Sequence, residues 1–77
     1  MFDNIDYTNL QYDYFNGENF VGFDIIAVDE DRNEITLIVS NQGKITMQSF
    51  DLLSDKSGNV FYEYGPSFER IYLRDFN

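Results

Sequence analysis

At 77 residues, with no cysteine and no histidine, the chain is one small domain without disulfides, thiolate-bound zinc or the usual general base of neutral pH. Fourteen acids against five bases give a formal charge of −9, which excludes nucleic acid and anionic membrane as direct partners because phosphate is bound through Lys and Arg. The longest apolar run, Ile25-Ile26-Ala27-Val28, is far too short to span a bilayer, and Met1-Phe2-Asp3 opens no signal peptide, so a cytoplasmic protein is expected.

Residues 1–8 show no clean period and read as an arm, with Phe2 and Ile5 available to pack back on the domain. Leu10, Tyr12 and Tyr14 then alternate with Gln11 and Asp13, and Asn16-Gly17 follows. That dipeptide tolerates the positive φ of a type I′ turn, so the reading is a strand over 9–15 that turns into a second strand. A short helix over 8–15 competes, with Tyr7, Leu10 and Tyr14 on one face and Gly17 ending it.

The second strand, about 19–28, alternates through Val21, Phe23 and Ile25, after which Ile26 and Val28 occupy the face that Asp24 had held. Either both faces are covered there or a bulge switches the register. Residues 29–33, DEDRN, form a loop. In the third strand Ile35, Leu37 and Val39 point inward, and Asn41-Gln42-Gly43-Lys44 makes a tight turn with Gly43 at positive φ. The fourth strand is read with Ile45 and Met47 inward and Lys44, Thr46 and Gln48 outward. Residues 50–55, FDLLSD, are read as a helical turn, and 54–59 as a loop. A strand over 60–64, VFYEY, ends at Gly65-Pro66, and a last strand over about 68–75 buries Ile71 and Leu73 and exposes Glu69, Arg70, Tyr72 and Arg74.

Short strands punctuated by turns predict a mainly β fold: a small antiparallel meander of five to six strands, rolled into a barrel or a two-layer sheet, with at most one short helical turn. The rhythm of long and short turns is similar to SH3-like barrels in pattern only. The whole of 1–77 is expected to be a single domain.

The sequence carries no signature of catalysis. Asp29, Asp31 and Asn33 match the first ligand positions of a calcium-binding EF-hand loop, but the required glycine is Glu34 and the closing glutamate is Ser40, so a solvated acidic loop is the better reading. The carboxylates have no nucleophile motif beside them, and the dispersed glycines form no phosphate cradle. No enzyme activity, metal or cofactor is expected. Phe23 and Phe61 are assigned to the core, while Tyr62 and Tyr64 are read more as an exposed aromatic surface of the kind protein interfaces recruit.

The remaining signal is the layout of charge. Residues 1–31 hold Asp3, Asp6, Asp13, Glu18, Asp24, Asp29, Glu30 and Asp31 without a single base, whereas 32–77 carry six acids and all five bases. Self-repulsion on that scale destabilises a small domain and attracts basic surfaces. The leading expectation is therefore a non-enzymatic acidic binding protein that blocks the basic surface of a nuclease or other nucleic-acid-handling enzyme. Its carboxylates would imitate phosphates, and by analogy it looks like the small inhibitors of phages and mobile elements, anti-CRISPR and anti-restriction proteins among them. The residues assigned to partner binding are Asp24, Asp29, Glu30 and Asp31, then Asp13 and Glu18, with Tyr12 and Tyr14 as anchors. The alternative is a structural or assembly module, a virion component or homo-oligomer subunit, whose interface is made by the aromatic strands near the C-terminus.

Overall fold

The computed structural model describes residues 6–77, so the arm expected at 1–8, with Phe2 and Ile5, lies largely outside the described residues. Among the described residues, seven antiparallel strands form two sheets. β1 (Gln11–Phe15), β2 (Phe20–Asp29), β3 (Glu34–Asn41) and β4 (Lys44–Asp51) make a four-stranded meander in that order. β5 (Leu53–Ser54), β6 (Val60–Tyr64) and β7 (Glu69–Tyr72) make a three-stranded one, and a single 3-10 turn, Leu73–Asp75, follows. The fold is thus mainly β, as the alternation and turn spacing require, and it is the two-layer form: neither sheet closes into a barrel.

The N-terminal hairpin forms over the competing helix, but not through a two-residue turn. Phe15 stands opposite Phe20, leaving a four-residue loop in which Asn16 Oδ1 accepts the amides of Glu18 and Asn19, both at 2.9 Å. The longer loop aligns Tyr14 with Val21 and Tyr12 with Phe23, and it brings the Phe15 and Phe20 rings together, tilted, at 5.0 Å. In β2 the two explanations for Ile26 are resolved: Ile25 pairs with Leu37 but Ala27 pairs with Thr36, so Ile26 is the extra residue of a bulge. Beyond it the inward parity changes, and Val28 meets Ile35.

β4 corrects the expectation that Ile45 and Met47 point inward. Gln42 and Gly43, at φ 51° and 78°, form a two-residue turn, which pairs Asn41 with Lys44, Val39 with Thr46 and Leu37 with Gln48. Since directly opposed residues share a face, burying Leu37 and Val39 commits Thr46, Gln48 and Phe50 to the inner side. Ile45 and Met47 accordingly stand 70% and 67% exposed on the outer side. Nor is 50–55 a helical turn. Phe50 and Asp51 finish β4, Leu52 donates its amide to the Asn33 carbonyl at 2.7 Å and buries its side chain, and the chain passes extended into the second sheet. The last strand is shorter than 68–75, because the chain tightens into the 3-10 turn at Leu73; Ile71 and Leu73 are buried as expected.

The core lies between the sheets. Val21, Phe23 and Ile25 of β2 and Ile35, Leu37 and Val39 of β3 supply one side, with Leu52, Tyr62, Ile71, Leu73 and Phe76 on the other. Phe23 meets Tyr62 and Tyr64 edge-to-face, at 5.6 and 5.0 Å, and Phe50 stacks on Tyr62 at 5.0 Å. Tyr62 is therefore not part of an exposed platform; it is fully buried, while Tyr64 is half-buried. The edge of the first sheet is tied down by a reciprocal backbone pair, Gln11 amide to Asn77 carbonyl at 2.9 Å and Asn77 amide to Gln11 carbonyl at 3.0 Å.

Tyr62 buries its hydroxyl with no hydrogen-bond partner, and burial pushes the phenol above its ordinary pKa. A buried hydroxyl without a partner costs about 1–3 kcal/mol, so Tyr62→Phe, which keeps the ring and removes the orphan, is expected to raise stability by about 1 kcal/mol. Phe23→Ala is expected to lower it by roughly 3–5 kcal/mol. Urea denaturation of both variants measures each change.

Candidate functional site

The acids named from sequence fall into three places. Asp13 and Asp24 lie on the outer face of the β1–β2 hairpin, since Asp13 is opposite Gly22 and Asp24 opposite Gln11. Asp29, Glu30 and Asp31 stand exposed where β2 turns into β3. Glu18 sits in the loop at the far end of the hairpin. Tyr12 and Tyr14 are on the other side of β1 from Asp13, facing the core: Tyr12 packs on Phe76 at 5.5 Å and Tyr14 on Tyr64 at 6.4 Å. The two tyrosines thus share no surface with Asp13, Asp24 or the 29–31 carboxylates, because the period of a strand is two.

The fold adds two carboxylates to the β2–β3 end that were not assigned to it from sequence. Asp29 is directly opposite Glu34, and Glu34 is directly opposite Asp51. The three form a row across β2, β3 and β4 on the outer face, about 4.7–4.9 Å apart from strand to strand. On the same face, one pair further in, Thr36 Oγ1 and Ser49 Oγ hydrogen bond at 3.0 Å. Glu30 and Asp31 extend the row into the loop. Like charges directly opposite one another destabilise a sheet, and the relief here is slight. Arg32 Nε lies 3.8 Å from Asp29 Oδ2, both side chains largely exposed, and this is the one ion pair among the described residues. The signal for the row was available: a two-residue turn at Gln42-Gly43 pairs residues symmetrically about it, which sets Asp51 against Glu34.

The other two arginines are engaged elsewhere. The Arg70 guanidinium lies 4.4 Å over the Phe61 ring and that of Arg74 lies 4.7 Å over Tyr72. Arg70 also donates to the Tyr72 hydroxyl at 3.4 Å, which in turn donates to Asp55 Oδ2 at 3.4 Å. These contacts cover the outer face of the smaller sheet, where the two arginines and Tyr72 share one side, as their alternation predicted. The molecule is therefore polarised. From Asp6 to Asp51 there are nine acids and two bases, and from Leu52 to Asn77 four acids and three bases.

At the opposite end from the carboxylate row, a cleft of about 420 Å³ opens between the hairpin loop and the β6–β7 turn, lined by Tyr14, Glu18, Asn41, Tyr64, Pro66 and Glu69. Burial and the neighbouring Glu69 carboxylate push the Tyr14 phenol above its ordinary pKa. Among the described residues, no group of three or more acids converges closely enough to hold a metal ion; the carboxylates of the row stand side by side and do not surround a point. No protein family, curated protein or solved structure matches this chain.

Two measurements test these electrostatics. Glu34→Gln removes the middle charge of the row and is expected to raise the denaturation midpoint at low ionic strength, the gain shrinking as salt screens the repulsion. Asp55 behaves oppositely: hydrogen bonds from the Asn59 amide above all, with those of the Asn59 side chain, Ser57 and Tyr72, hold its carboxyl below the ordinary value of 3.8. A carboxyl depressed in the folded state stabilises above its unfolded pKa, and the stabilisation disappears as pH falls through the folded value. Asp55→Ala should therefore cost stability at pH 7, and the difference from the parent should narrow as pH falls below 3.8.

Proposed function

We propose that this chain is a non-enzymatic binding module that lays the carboxylate-bearing end of its larger sheet on a basic protein surface, and that the surface so covered is one that otherwise engages nucleic acid. The observation that carries this reading is the cross-strand row of Asp29, Glu34 and Asp51, continued by Glu30 and Asp31 and relieved by Arg32 alone. A sheet that sets three carboxylates side by side accepts a standing repulsion, and a basic partner removes it on contact. The row is held on three hydrogen-bonded strands, so little conformational entropy is lost when it docks. Asp13 and Asp24 extend the negative face along β1 and β2. Its field would steer a positively charged partner from a distance and make association fast and salt-sensitive. A small acidic inhibitor of a nuclease, a restriction enzyme or a CRISPR effector fits this description.

The alternative reading, an assembly module that associates through its aromatic strands, has less to draw on. Phe61 and Tyr62 of β6 are both buried within the chain itself, so that strand has little apolar surface left for a neighbour.

The test is capture of partners on the immobilised protein from extracts, with Asp29, Glu34 and Asp51 all changed to Lys in a parallel sample. Nucleic-acid-handling proteins should be retained at low ionic strength, released by salt and missing from the variant. Recovery of the same proteins by the variant, at the same salt, overturns the proposal.

A further inference from the structure

We propose that β4 is an association edge, at which two copies of this chain pair antiparallel about a two-fold axis and continue the four-stranded sheet. Hydrogen bonding within the sheet already determines which groups are available. Along an antiparallel strand, successive residues direct their amide and carbonyl to alternate sides. The two-residue turn makes Asn41 and Lys44 a bonded pair, so Lys44, Thr46, Gln48 and Phe50 bond back to β3, in phase with the Leu52 amide on Asn33. Ile45, Met47 and Ser49 direct theirs to the open side of β4, which is the edge of the sheet. An edge of this kind is a template for another strand.

The side chains of β4 are arranged for such a neighbour. In β3 the apolar residues Ile35, Leu37 and Val39 point inward, but β4 puts Ile45 and Met47 out and Thr46 and Gln48 in, with Gln48 donating to Thr46 Oγ1 at 3.0 Å. Ile38, the one outward apolar residue of β3, is directly opposite Met47. Centring the two-fold axis on Met47 brings Met47 against Met47 of the second copy, using the free amides and carbonyls. It also places Ile45 opposite Ser49 of that copy. One outward row then reads Ile38, Met47, Met47, Ile38, which turns two small apolar patches into one continuous strip.

Charge selects a second copy as the occupant. Two chains of −9 repel, and they can approach closely only where neither carries carboxylates. Residues 35–50 contain no Asp or Glu and one Lys, Lys44, in a chain whose fourteen acids all lie outside them. The acid-free stretch is the β3–β4 ribbon, and it forms the open edge. A basic partner, by contrast, gains nothing from this ribbon. The edge proposal is therefore independent of the proposed function, and salt separates the two: screening strengthens pairing between like-charged copies and weakens attraction to a basic surface.

The experiment is sedimentation equilibrium from micromolar to millimolar protein at low and high salt, with amide hydrogen exchange on the same samples. A monomer–dimer equilibrium is expected that tightens as salt rises. Protection should be gained at the amides of Ile45, Met47 and Ser49, those of Thr46 and Gln48 being protected already. Ile45→Lys with Met47→Lys, both outward and clear of the core, should leave a folded monomer, checked by circular dichroism. Phe68→Lys, which alters an exposed residue of the β6–β7 turn, should leave the dimer intact. A monomer under every condition, a dimer untouched by the double lysine variant, or protection gained at a different strand would each overturn the proposal.

Discussion

The structure depends on an edge-to-face contact between Phe23 and Tyr62. Each sheet is open and too small to bury its own inner face, and the chain has no cysteine from which a disulfide could clamp them together. Aromatic rings do that work because each covers a large area and an edge-to-face pair adds attraction beyond its area. Phe23 touches Tyr62 and Tyr64 from the smaller sheet and Tyr14 and Phe76 besides, so it is the point at which β1, β2, β6 and the C-terminal segment converge. The orphaned hydroxyl of Tyr62 is a cost of using tyrosine for a position that needs only the ring.

The same architecture explains why the charge separates into two faces. Both sheets are meanders built from consecutive segments, so a bias along the sequence becomes a bias in space. The acid-rich first two-thirds forms the larger sheet, and Arg70 and Arg74 come last, on the smaller one. The arginines are laid over Phe61 and Tyr72 in place of reaching the carboxylates of the other face. Guanidinium groups stack on rings through their planar, weakly hydrated faces, so they screen apolar surface while keeping their charge.

Much of this fold is legible in the chain. Alternation through Val21, Phe23 and Ile25 and through Ile35, Leu37 and Val39 marks the inner face of the two central strands, whereas the doubling at Ile26 fits covered faces as well as a bulge, and only the pairing of Ala27 with Thr36 decides for the bulge. At β4 hydropathy and turn geometry disagree: Ile45 and Met47 look like core residues, but Gln42-Gly43 fixes the pairing, and the pairing decides which face they occupy. The carboxylate row is hidden for the same reason, since a helical turn over 50–55 would take Asp51 away from Glu34, whereas the strand sets the two opposite. The burial of Tyr62 was hidden by its setting in Phe61-Tyr62-Glu63-Tyr64, where no alternation of polar and apolar residues separates the inner face from the outer. Tyr12 and Tyr14 flank Asp13 in sequence, but one step along a strand reverses direction, so they face the other way.

The reciprocal bond between Gln11 and Asn77 joins nearly opposite ends of the chain. Local hairpins close quickly, whereas a rung of such long sequence separation forms only after the intervening loop entropy has been overcome. On a ribosome the four-stranded meander can assemble while residue 77 is still unmade, but the flank of β1 must wait for it. Phe76, which covers Tyr12 and Phe23, arrives on the same short segment. Until that segment docks, Tyr12 and Phe23 lack the ring that covers them in the finished fold.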